Sequence, residues 1–236
     1  MTSQATATTI STLLDEAVAL LRARGARTII GITGPPGAGK SLLAQALAAA
    51  AGPRTGEAAT ALPMDGFHFS NARLDALGLR ARKGAPETFD ACGFVTALAK
   101  LAEGKMVSWP EYSRVLHEPL ADSLTIPAST RLIFLEGNYL ALDKTPWDRV
   151  PALLACLWYV DADLSSLRER LLSRQVDGGR AAADAIRHVE DVDVRNIMIV
   201  ERCRDRATRV VRINPDDPLS YGVIDPATGK PFDLSR

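Results

Sequence analysis

The fold is decided by residues 34–41, which read Gly34-Pro35-Pro36-Gly37-Ala38-Gly39-Lys40-Ser41. This stretch fits the pattern G-x-x-x-x-G-K-[ST], and it lies between an apolar run at 28–33 and an alanine-rich segment at 42–51. Glycines allow backbone N–H groups to turn inward around a phosphate, and the N-terminus of the following helix adds partial positive charge. We therefore predict a phosphate-binding loop between a strand and a helix that stops at Gly52-Pro53.

Two side chains at the end of this loop indicate a nucleoside triphosphate site. Lys40 would reach the β- and γ-phosphates, and the Ser41 hydroxyl would bind Mg²⁺. The sequence has neither the N/T-K-x-D element that recognises guanine nor the L-S-G-G-Q element of transporter ATPases. These absences favour ATP and a small-molecule kinase. The alternative is a nucleotide-dependent switch or ATPase that acts on a protein partner without a small acceptor.

Five short apolar runs, rich in β-branched or aromatic residues, predict strands at 28–33, 58–64, 131–135, 153–160 and 208–213. Helical segments separate most of them, which is typical of a parallel sheet covered on both faces. We expect an α/β fold of three α/β/α layers, with a mainly parallel sheet of about five strands and a helical lid. The expected units are an N-terminal helix within 1–25 packed on the domain, a P-loop kinase domain at 26–213 with its lid at about 164–182, and an irregular C-terminal arm at 214–236.

The composition limits the partners and the compartment. Lys plus Arg and Asp plus Glu number 28 each, so the overall charge favours neither nucleic acid nor an anionic membrane as a partner. No run approaches the roughly 18 apolar residues of a membrane span. Cys92, Cys156 and Cys203 form neither a CxxC pair nor a disulfide framework, which suits a reducing compartment. We expect a cytoplasmic protein with a small-molecule substrate; the sequence does not indicate an oligomeric state.

Two acidic residues follow predicted strands at positions that would face the phosphate-binding loop. Asp65 comes after the run at 58–64, and Glu136 follows the run at 131–135. In parallel sheets, ligands bind at the carboxyl ends of the strands. Asp65 can accept the proton of an attacking hydroxyl or hold Mg²⁺ through water, and Glu136 can anchor Mg²⁺ or its waters. The alternatives are a helix cap at Asp65 and a surface acid at Glu136.

Five motifs, in order, resemble the superfamily of uridine kinase, phosphoribulokinase and bacterial pantothenate kinase. They are Pro63-Met64-Asp65-Gly66-Phe67-His68, Arg82-Lys83-Gly84-Ala85-Pro86-Glu87-Thr88-Phe89-Asp90, Pro110-x-Tyr112-Ser113, Glu136-Gly137-Asn138-Tyr139-Leu140 and Asp193-x-x-Asn196. The resemblance covers about residues 25–215 and is greatest to the nucleoside/nucleotide kinase-like branch, some of whose members are labelled fructose transport system kinases. It implies that Asp65 is the catalytic base, that Ser41 and Glu136 assist Mg²⁺, and that the segment after Asp65, including His68, builds the acceptor pocket.

Basic and aromatic residues further along the chain are candidates for contacts with the acceptor. Arg82 and Lys83 are adjacent charges that can hold a polar acceptor or neutralise the transferring phosphoryl group; a solvated basic turn is the alternative. Tyr112 and His117 have the spacing at which uridine kinases contact the nucleoside. The two residues after Tyr112, Ser and Arg, differ from the Asp and aromatic residue usual there. A sugar, a nucleoside and a pantothenate-like alcohol therefore stay open as acceptors.

The segment after the fourth predicted strand is the candidate lid. Leu164, Leu167 and Leu171 form an apolar stripe, and Arg170 and Arg174 are four residues apart on an adjoining face. In similar kinases, arginines of a mobile lid close over the γ-phosphate and exclude water. A pair of glycines follows as a candidate hinge. A solvated arginine face is the alternative.

The last predicted helix, from 180 to about 205, places polar residues on its inner face. One stripe at 100° per residue contains the apolar residues Ile186, Val189, Ile197 and Val200. Asp193 and Asn196 fall inside this stripe. Burial without hydrogen bonds would cost about 1–3 kcal/mol for each. We expect them to bind neighbouring groups that shape the lid and the acceptor walls, with contact between Asn196 and the substrate as the second possibility.

Overall fold

The computed structural model describes residues 6–8 and 10–213, so the arm predicted at 214–236 lies outside the described residues. In the described part, the strands are β1 (Thr6–Thr8), β2 (Thr28–Thr33), β3 (Ala59–Pro63), β4 (Val107–Ser113), β5 (Glu118–Ile126), β6 (Leu132–Glu136), β7 (Cys156–Val160) and β8 (Arg209–Ile213). The α-helices there are α1 (Ile10–Arg24), α2 (Lys40–Thr55), α3 (Asn71–Ala76), α4 (Ala91–Ala102), α5 (Leu164–Asp177), α6 (Ala182–His188) and α7 (Val194–Glu201).

The main sheet of the described chain has the strand order β1-β8-β7-β2-β6-β3, and all neighbouring pairs are parallel. Strands β2, β6 and β7 are buried along their whole length, as expected for a sheet covered on both faces. Helices α1, α2 and α5 pack on one face and α4 on the other. The prediction of a three-layer α/β fold is confirmed. The additional strand β1 has only three residues, too few to show a hydrophobic period.

A hairpin formed by β4 and β5 lies outside the main sheet. The sequence does not predict it, because Pro110 and Pro119 interrupt the two strands and most β5 residues are exposed. The Trp109 indole N–H donates to the Pro63 carbonyl at 2.8 Å, which holds β4 beside the end of β3. The guanidinium of buried Arg27 donates to four carbonyls near the two ends of the hairpin, those of Leu101, Lys105, Pro127 and Thr130.

Three adjacent strands end level with one another. Ile32 of β2 pairs with Glu136 of β6, and Glu136 pairs with Pro63 of β3. Since the strands are parallel, their carboxyl ends lie along one edge of the sheet. The phosphate-binding loop, Glu136 and the 3₁₀ turn Met64–Phe67 are therefore neighbours. This edge carries the candidate site.

Candidate active site

The loop at 34–39 turns tightly between β2 and α2. Gly34 has a φ of 146°, and a Cβ there would lie 2.5 Å from the Val160 carbonyl oxygen, so the loop runs directly against the end of β7. Gly39 is the N-cap of α2 with a φ of 91° and makes no side-chain cap. The first N–H groups of a helix have no acceptor within the helix. They are therefore available to bind an anion.

Lys40 is the first residue of α2, and its side chain is buried beneath this loop. Its ammonium group donates to the Pro35 carbonyl at 2.8 Å. Burial lowers the pKa of Lys40 to about 8, and the charge of Arg174 acts in the same direction, whereas the carboxylates of Glu136 and Asp65 raise it. The loop thus surrounds a cation that has two acids nearby.

Ser41 and Glu136 form an oxygen pair between α2 and the end of β6. The Ser41 hydroxyl donates to Oε1 of Glu136 at 3.0 Å, and Glu136 is only 8% exposed. Burial, followed by the negative charge of Asp65, raises the pKa of Glu136 to about 7. Lys40 and the Ser41 hydrogen bond oppose this increase. A hydroxyl and a carboxylate side by side are a donor set that suits Mg²⁺.

Asp65 lies on the 3₁₀ turn that follows β3. Its negative charge raises the pKa of both Lys40 and Glu136, the two groups below the loop. The same charge raises the pKa of Tyr112 on the hairpin. Asp65 is therefore within electrostatic range of both the phosphate-binding groups and the wall opposite them.

The turn that carries Asp65 touches the hairpin through its backbone. A Cβ at Gly66 would overlap the Pro110 carbonyl and approach the Glu111 nitrogen to 2.9 Å. Only glycine fits between the 3₁₀ turn and β4 without displacing one of them. The position of the turn and the course of β4 are consequently fixed together.

An aromatic wall stands next to Asp65. The His68 ring lies 3.8 Å from the Phe89 ring and 4.9 Å from the Tyr112 ring, measured between centroids. Nδ1 of His68 is 2.8 Å from the Asp65 carbonyl, which only accepts, so this nitrogen carries the proton. Burial, and then the charges of Asp65 and Glu118, raise the pKa of Tyr112 to about 12, so its hydroxyl keeps its proton. The wall offers a flat apolar face with polar edges.

The predicted pair of basic residues separates in the structure. The Lys83 ammonium lies 5.2 Å from the Tyr112 ring centroid and donates to the Asn71 side chain and the His117 carbonyl, each at 2.6 Å. Arg82 instead forms an ion pair with Glu87 at 2.6 Å, with 62% of its side chain exposed. Lys83 thus lies at the aromatic wall, whereas Arg82 forms its ion pair elsewhere, with most of its side chain exposed.

His117 has a different place from the one predicted. Its side chain is exposed in the turn between β4 and β5, where it has a positive φ of 51°. Its carbonyl oxygen accepts hydrogen bonds from Asn71 and Lys83. His117 therefore orients Lys83 through its backbone, because the left-handed conformation turns this carbonyl towards the wall. We find no contact of its imidazole with the described site residues.

The two predicted lid arginines lie on α5. Arg170 donates to the Gly37 carbonyl of the phosphate-binding loop at 3.3 Å. Arg174 is exposed, and its charge lowers the pKa of both Lys40 and Tyr112. Leu167 and Leu171 are buried, but Leu164 is 41% exposed because it is the first residue of the helix and lies beyond the packed face.

A π-helical turn, Val189–Asp193, joins α6 to α7. This turn contains one residue more than a turn of α-helix. A stripe drawn at 100° per residue therefore gives the wrong buried positions on the N-terminal side of the turn. Ile186, predicted to be inside, is 53% exposed, and Ala185 is buried in its place. Asp193 and Asn196 are buried as predicted. The Asn196 amide nitrogen would be 3.7 Å from a Cβ at Gly84, so it packs against the segment that carries Lys83.

Two residues that the sequence did not single out also contribute to the site. Phe89 supports the ring of His68, and the charge of Arg114 lowers the pKa of Glu136. Phe89 lies within one of the five motifs, but only the fold places it against His68. The sequence does mark Arg114 as unusual, because an aromatic residue is usual at this position after the Pro-x-Tyr-Ser stretch. This difference could have identified Arg114 as a site residue.

Two features bear on metals and membranes. Among the described residues, no group of three or more His, Cys, Asp or Glu side chains is arranged to hold a metal ion. A magnesium ion at Ser41 and Glu136 would therefore need phosphate and water oxygens to complete its shell, as is usual for Mg²⁺.

None of the described helices is long and apolar enough to span a bilayer.

The raised pKa of Glu136 predicts a pH-dependent effect of the Glu136→Gln substitution. Because the folded protein holds this proton more tightly than the unfolded chain, the ionised carboxylate costs stability as the pH rises from about 4.5 to about 7. Glutamine removes that cost. The quantity to compare is the free energy of unfolding of the variant minus that of wild type. We expect this difference to be more positive at pH 8 than at pH 5, by an amount on the order of 1 kcal/mol. Thermal unfolding of the free protein at both pH values measures it.

Glu103→Gln is the matched control, since Glu103 is 56% exposed and, within the described part of the chain, forms an ion pair with Lys105 alone. This control should show the same difference from wild type at pH 5 and pH 8. If Glu136→Gln also gives a pH-independent difference, or becomes relatively less stable at pH 8, burial does not raise the pKa of this carboxyl group.

The comparisons with known proteins agree with this geometry. A family model described as "Phosphoribulokinase / Uridine kinase family" matches residues 29–219. The Escherichia coli (strain K12) protein named "Uncharacterized protein YggC" is 40% identical over 163 residues, which are 67% of each chain. The Schizosaccharomyces pombe protein named "Putative uridine kinase C227.14" is 34% identical over 200 residues, covering 80% of this chain and 84% of that protein.

Two solved structures show the same architecture. One, described as a "putative fructose transport system kinase" from Silicibacter sp. TM1040, has a TM-score of 0.80 and 31% identity, covering 88% of this chain and 100% of that chain. YFH7 from Saccharomyces cerevisiae has a TM-score of 0.77 over 87% of this chain and 99% of that chain. Its 19% identity supports the fold alone. The resemblance drawn from the five motifs is confirmed, and the chain belongs to the phosphoribulokinase / uridine kinase family of P-loop kinases.

Proposed function

We propose that this protein is an ATP-dependent kinase that transfers the γ-phosphoryl group to a hydroxyl of a small metabolite. The observation that carries the proposal is the arrangement of three level strand ends. They bring together a buried lysine under a phosphate-binding loop, a Ser41–Glu136 oxygen pair and the carboxylate of Asp65. A phosphate-binding loop alone would serve many nucleotide-dependent proteins. The acid beside an aromatic wall favours transfer to an acceptor.

Asp65 is the proposed base. Its carboxylate would accept the proton of the acceptor hydroxyl as that oxygen bonds to the γ-phosphorus and the bond from phosphorus to the β–γ bridging oxygen breaks. The products are ADP, the phosphorylated alcohol and the proton held by Asp65. The Gly66 contact with Pro110 fixes the turn that carries this carboxylate relative to the acceptor wall.

The charges on the transferring group are balanced by the loop, Lys40 and α5. The free N–H groups at the start of α2 and the Lys40 ammonium would bind the β- and γ-phosphates. Arg170, already in contact with the Gly37 carbonyl, and Arg174, whose charge lowers the pKa of Lys40, would approach from the lid side. Oriented charges of this kind stabilise the transition state without reorganising at the moment of reaction.

Ser41 and Glu136 would hold Mg²⁺. The residues fit the ion, because the hydroxyl and carboxylate oxygens are 3.0 Å apart and the carboxylate is buried next to the phosphate-binding loop. When bound, the ion would supply positive charge that offsets the negative charge of the phosphates. Because burial raises the pKa of Glu136 to about 7, this carboxyl group would give up its proton on holding the ion near neutral pH.

The acceptor wall suits a small polar molecule. His68 and Tyr112 offer flat faces, and the Lys83 ammonium, fixed by Asn71 and the His117 carbonyl, offers a cation at the edge. Sugars, nucleosides and pantothenate-like alcohols fit this description. The names of similar proteins point to uridine and fructose, and a solved structure of the same fold is a D-glycerate 3-kinase from Cryptococcus neoformans.

The direct experiment is an acceptor screen with the full-length protein. ATP·Mg²⁺ would be incubated with single members of a panel that contains fructose and other sugars, uridine and other nucleosides, pantothenate and D-glycerate. ADP release and transfer of label from γ-³²P-ATP to the acceptor would both be measured. We expect one class to raise ADP release by at least about tenfold and to become labelled in equal amount.

The alternative function, a switch or ATPase that acts on a protein partner, gives a different result. ADP release would then be the same with every member of the panel, and all label would appear as inorganic phosphate. That outcome would overturn the proposed kinase. Labelling of one acceptor would instead exclude the switch as the main function.

A further inference from the structure

Asp193 is a buried acid with an unsatisfied oxygen. It is the last residue of the π-helical turn between α6 and α7, and it is only 7% exposed. Its Oδ2 atom has no hydrogen-bond partner among the described residues. A buried acceptor without a partner is costly, and such groups in folded proteins usually have a use.

The lid helix α5 is attached to this π-helical turn. Arg168 of α5 forms an ion pair with Glu190 of the turn at 3.1 Å. Gln175, near the end of α5, accepts from Arg180 at 3.1 Å and also makes a polar contact with the Asp193 carboxyl group. These contacts link α5 to the turn, and Asp193 lies on the buried side of the turn.

The charge of Arg174 acts on both this acid and Lys40 beneath the phosphate-binding loop. Burial raises the pKa of Asp193, and the positive charges of His188, Arg174 and Arg180 oppose that increase. The charge of Arg174 also lowers the pKa of Lys40, so the guanidinium is within electrostatic range of both groups. A guanidinium has five N–H donors in a planar fork, enough to bind a carboxylate on one edge and a phosphate on another.

We propose that Asp193 is a positioning residue for Arg174, an inference that rests on the proposed kinase function. Its free Oδ2 accepts a hydrogen bond from Arg174 when α5 brings that arginine over the transferring phosphoryl group. The extra residue of the π-helical turn rotates α6 relative to α7 and leaves Asp193 facing α5. Closure of the lid then satisfies the buried oxygen and orients the arginine in a single step.

The test is a double-mutant cycle on the full-length enzyme with the acceptor found by the screen. Asp193→Asn keeps the size of the side chain and one carbonyl oxygen for Gln175. We expect kcat to fall by about 10- to 100-fold, the loss typical when a catalytic charge is misplaced by about 1 Å. KM values for ATP and acceptor should change by less than about twofold, and Tm should be unchanged or higher because a buried charge is removed.

The cycle is completed by Arg174→Ala alone and with Asp193→Asn. If Asp193 acts through Arg174, the double variant is no slower than Arg174→Ala, since the arginine to be positioned is already absent. Asp191→Asn, an exposed acid in the same turn, is the matched control and should keep wild-type kcat. Normal kcat in Asp193→Asn, or independent losses that multiply in the double variant, would overturn the inference.

A second readout does not depend on turnover. Hydrogen exchange of residues 164–177 would be measured with and without the Mg²⁺ complex of a non-hydrolysable ATP analogue. We expect the analogue to protect α5 in wild type but not in Asp193→Asn. If the wild-type protein phosphorylates no acceptor yet shows this Asp193-dependent protection, the kinase proposal fails, whereas the contact of Asp193 with Arg174 in the nucleotide-bound protein stands. If an acceptor is phosphorylated and protection is equal in both proteins, only the positioning role fails.

Discussion

The Asp65→Asn variant should lose about 10²–10⁴-fold in kcat, the range that a positioned general base contributes, while it still binds nucleotide. The amide keeps the shape of the side chain but cannot take a proton from the acceptor hydroxyl. Lys40, Ser41 and Glu136 are left in place, so the phosphate-binding groups are intact. Initial rates with the acceptor, and calorimetric titration with the Mg²⁺ complex of a non-hydrolysable ATP analogue, measure the two quantities.

Asp75→Asn is a suitable control for this prediction. Asp75 is 60% exposed on α3 and pairs with Arg80 at 3.0 Å. Its removal should leave kcat within about twofold of wild type. A normal rate in Asp65→Asn would show that Asp65 is not the base. Recovery of the rate at high Mg²⁺ would show instead that this residue acts as a metal anchor.

The Lys40→Ala variant should lose at least about 10³-fold in kcat/KM, since it removes the one charged donor that α2 brings beneath the loop. Burial lowers the pKa of Lys40 to about 8, so the fold disfavours the ammonium ion relative to solvent. Removing it should therefore leave Tm unchanged or slightly higher. Loss of transfer together with retained stability separates a functional role from a structural one.

Lys100→Ala, an exposed lysine on α4, provides the comparison for Lys40→Ala and should retain wild-type kinetics. Phosphoryl transfer by Lys40→Ala within about tenfold of the wild-type rate would contradict the role of Lys40. A large fall in Tm would also contradict it, because the ammonium would then be holding the loop together through the Pro35 carbonyl.

The sheet is predictable because its strands are short apolar runs buried on both faces. The run at 28–33 is β2 itself, and the run at 131–135 differs from β6 by one residue at each end. The helix after the loop is harder to bound. It continues through Pro53 to Thr55, because proline in the last turn removes a single backbone hydrogen bond and Gly56 then ends the helix with a φ of 71°.

The site is predictable where residue position along a strand decides the outcome. Asp65 follows β3 and Glu136 is the last residue of β6, so parallel pairing alone brings them to the phosphate-binding loop. Residues on connecting segments are less predictable. Lys83 and His117 meet only because the hairpin folds back over α3. The positive φ of His117 then determines that its carbonyl, and not its ring, contacts Lys83.

The contact between Gly66 and Pro110 affects how acceptor choice could change during evolution or in the laboratory. Since the base-bearing turn and β4 touch backbone to backbone, a hairpin of different curvature grafted from a relative would shift Asp65 as well as the pocket. Specificity is therefore more safely altered by exchanging side chains such as Tyr112 on an unchanged main chain. Any such redesign must keep glycine at position 66.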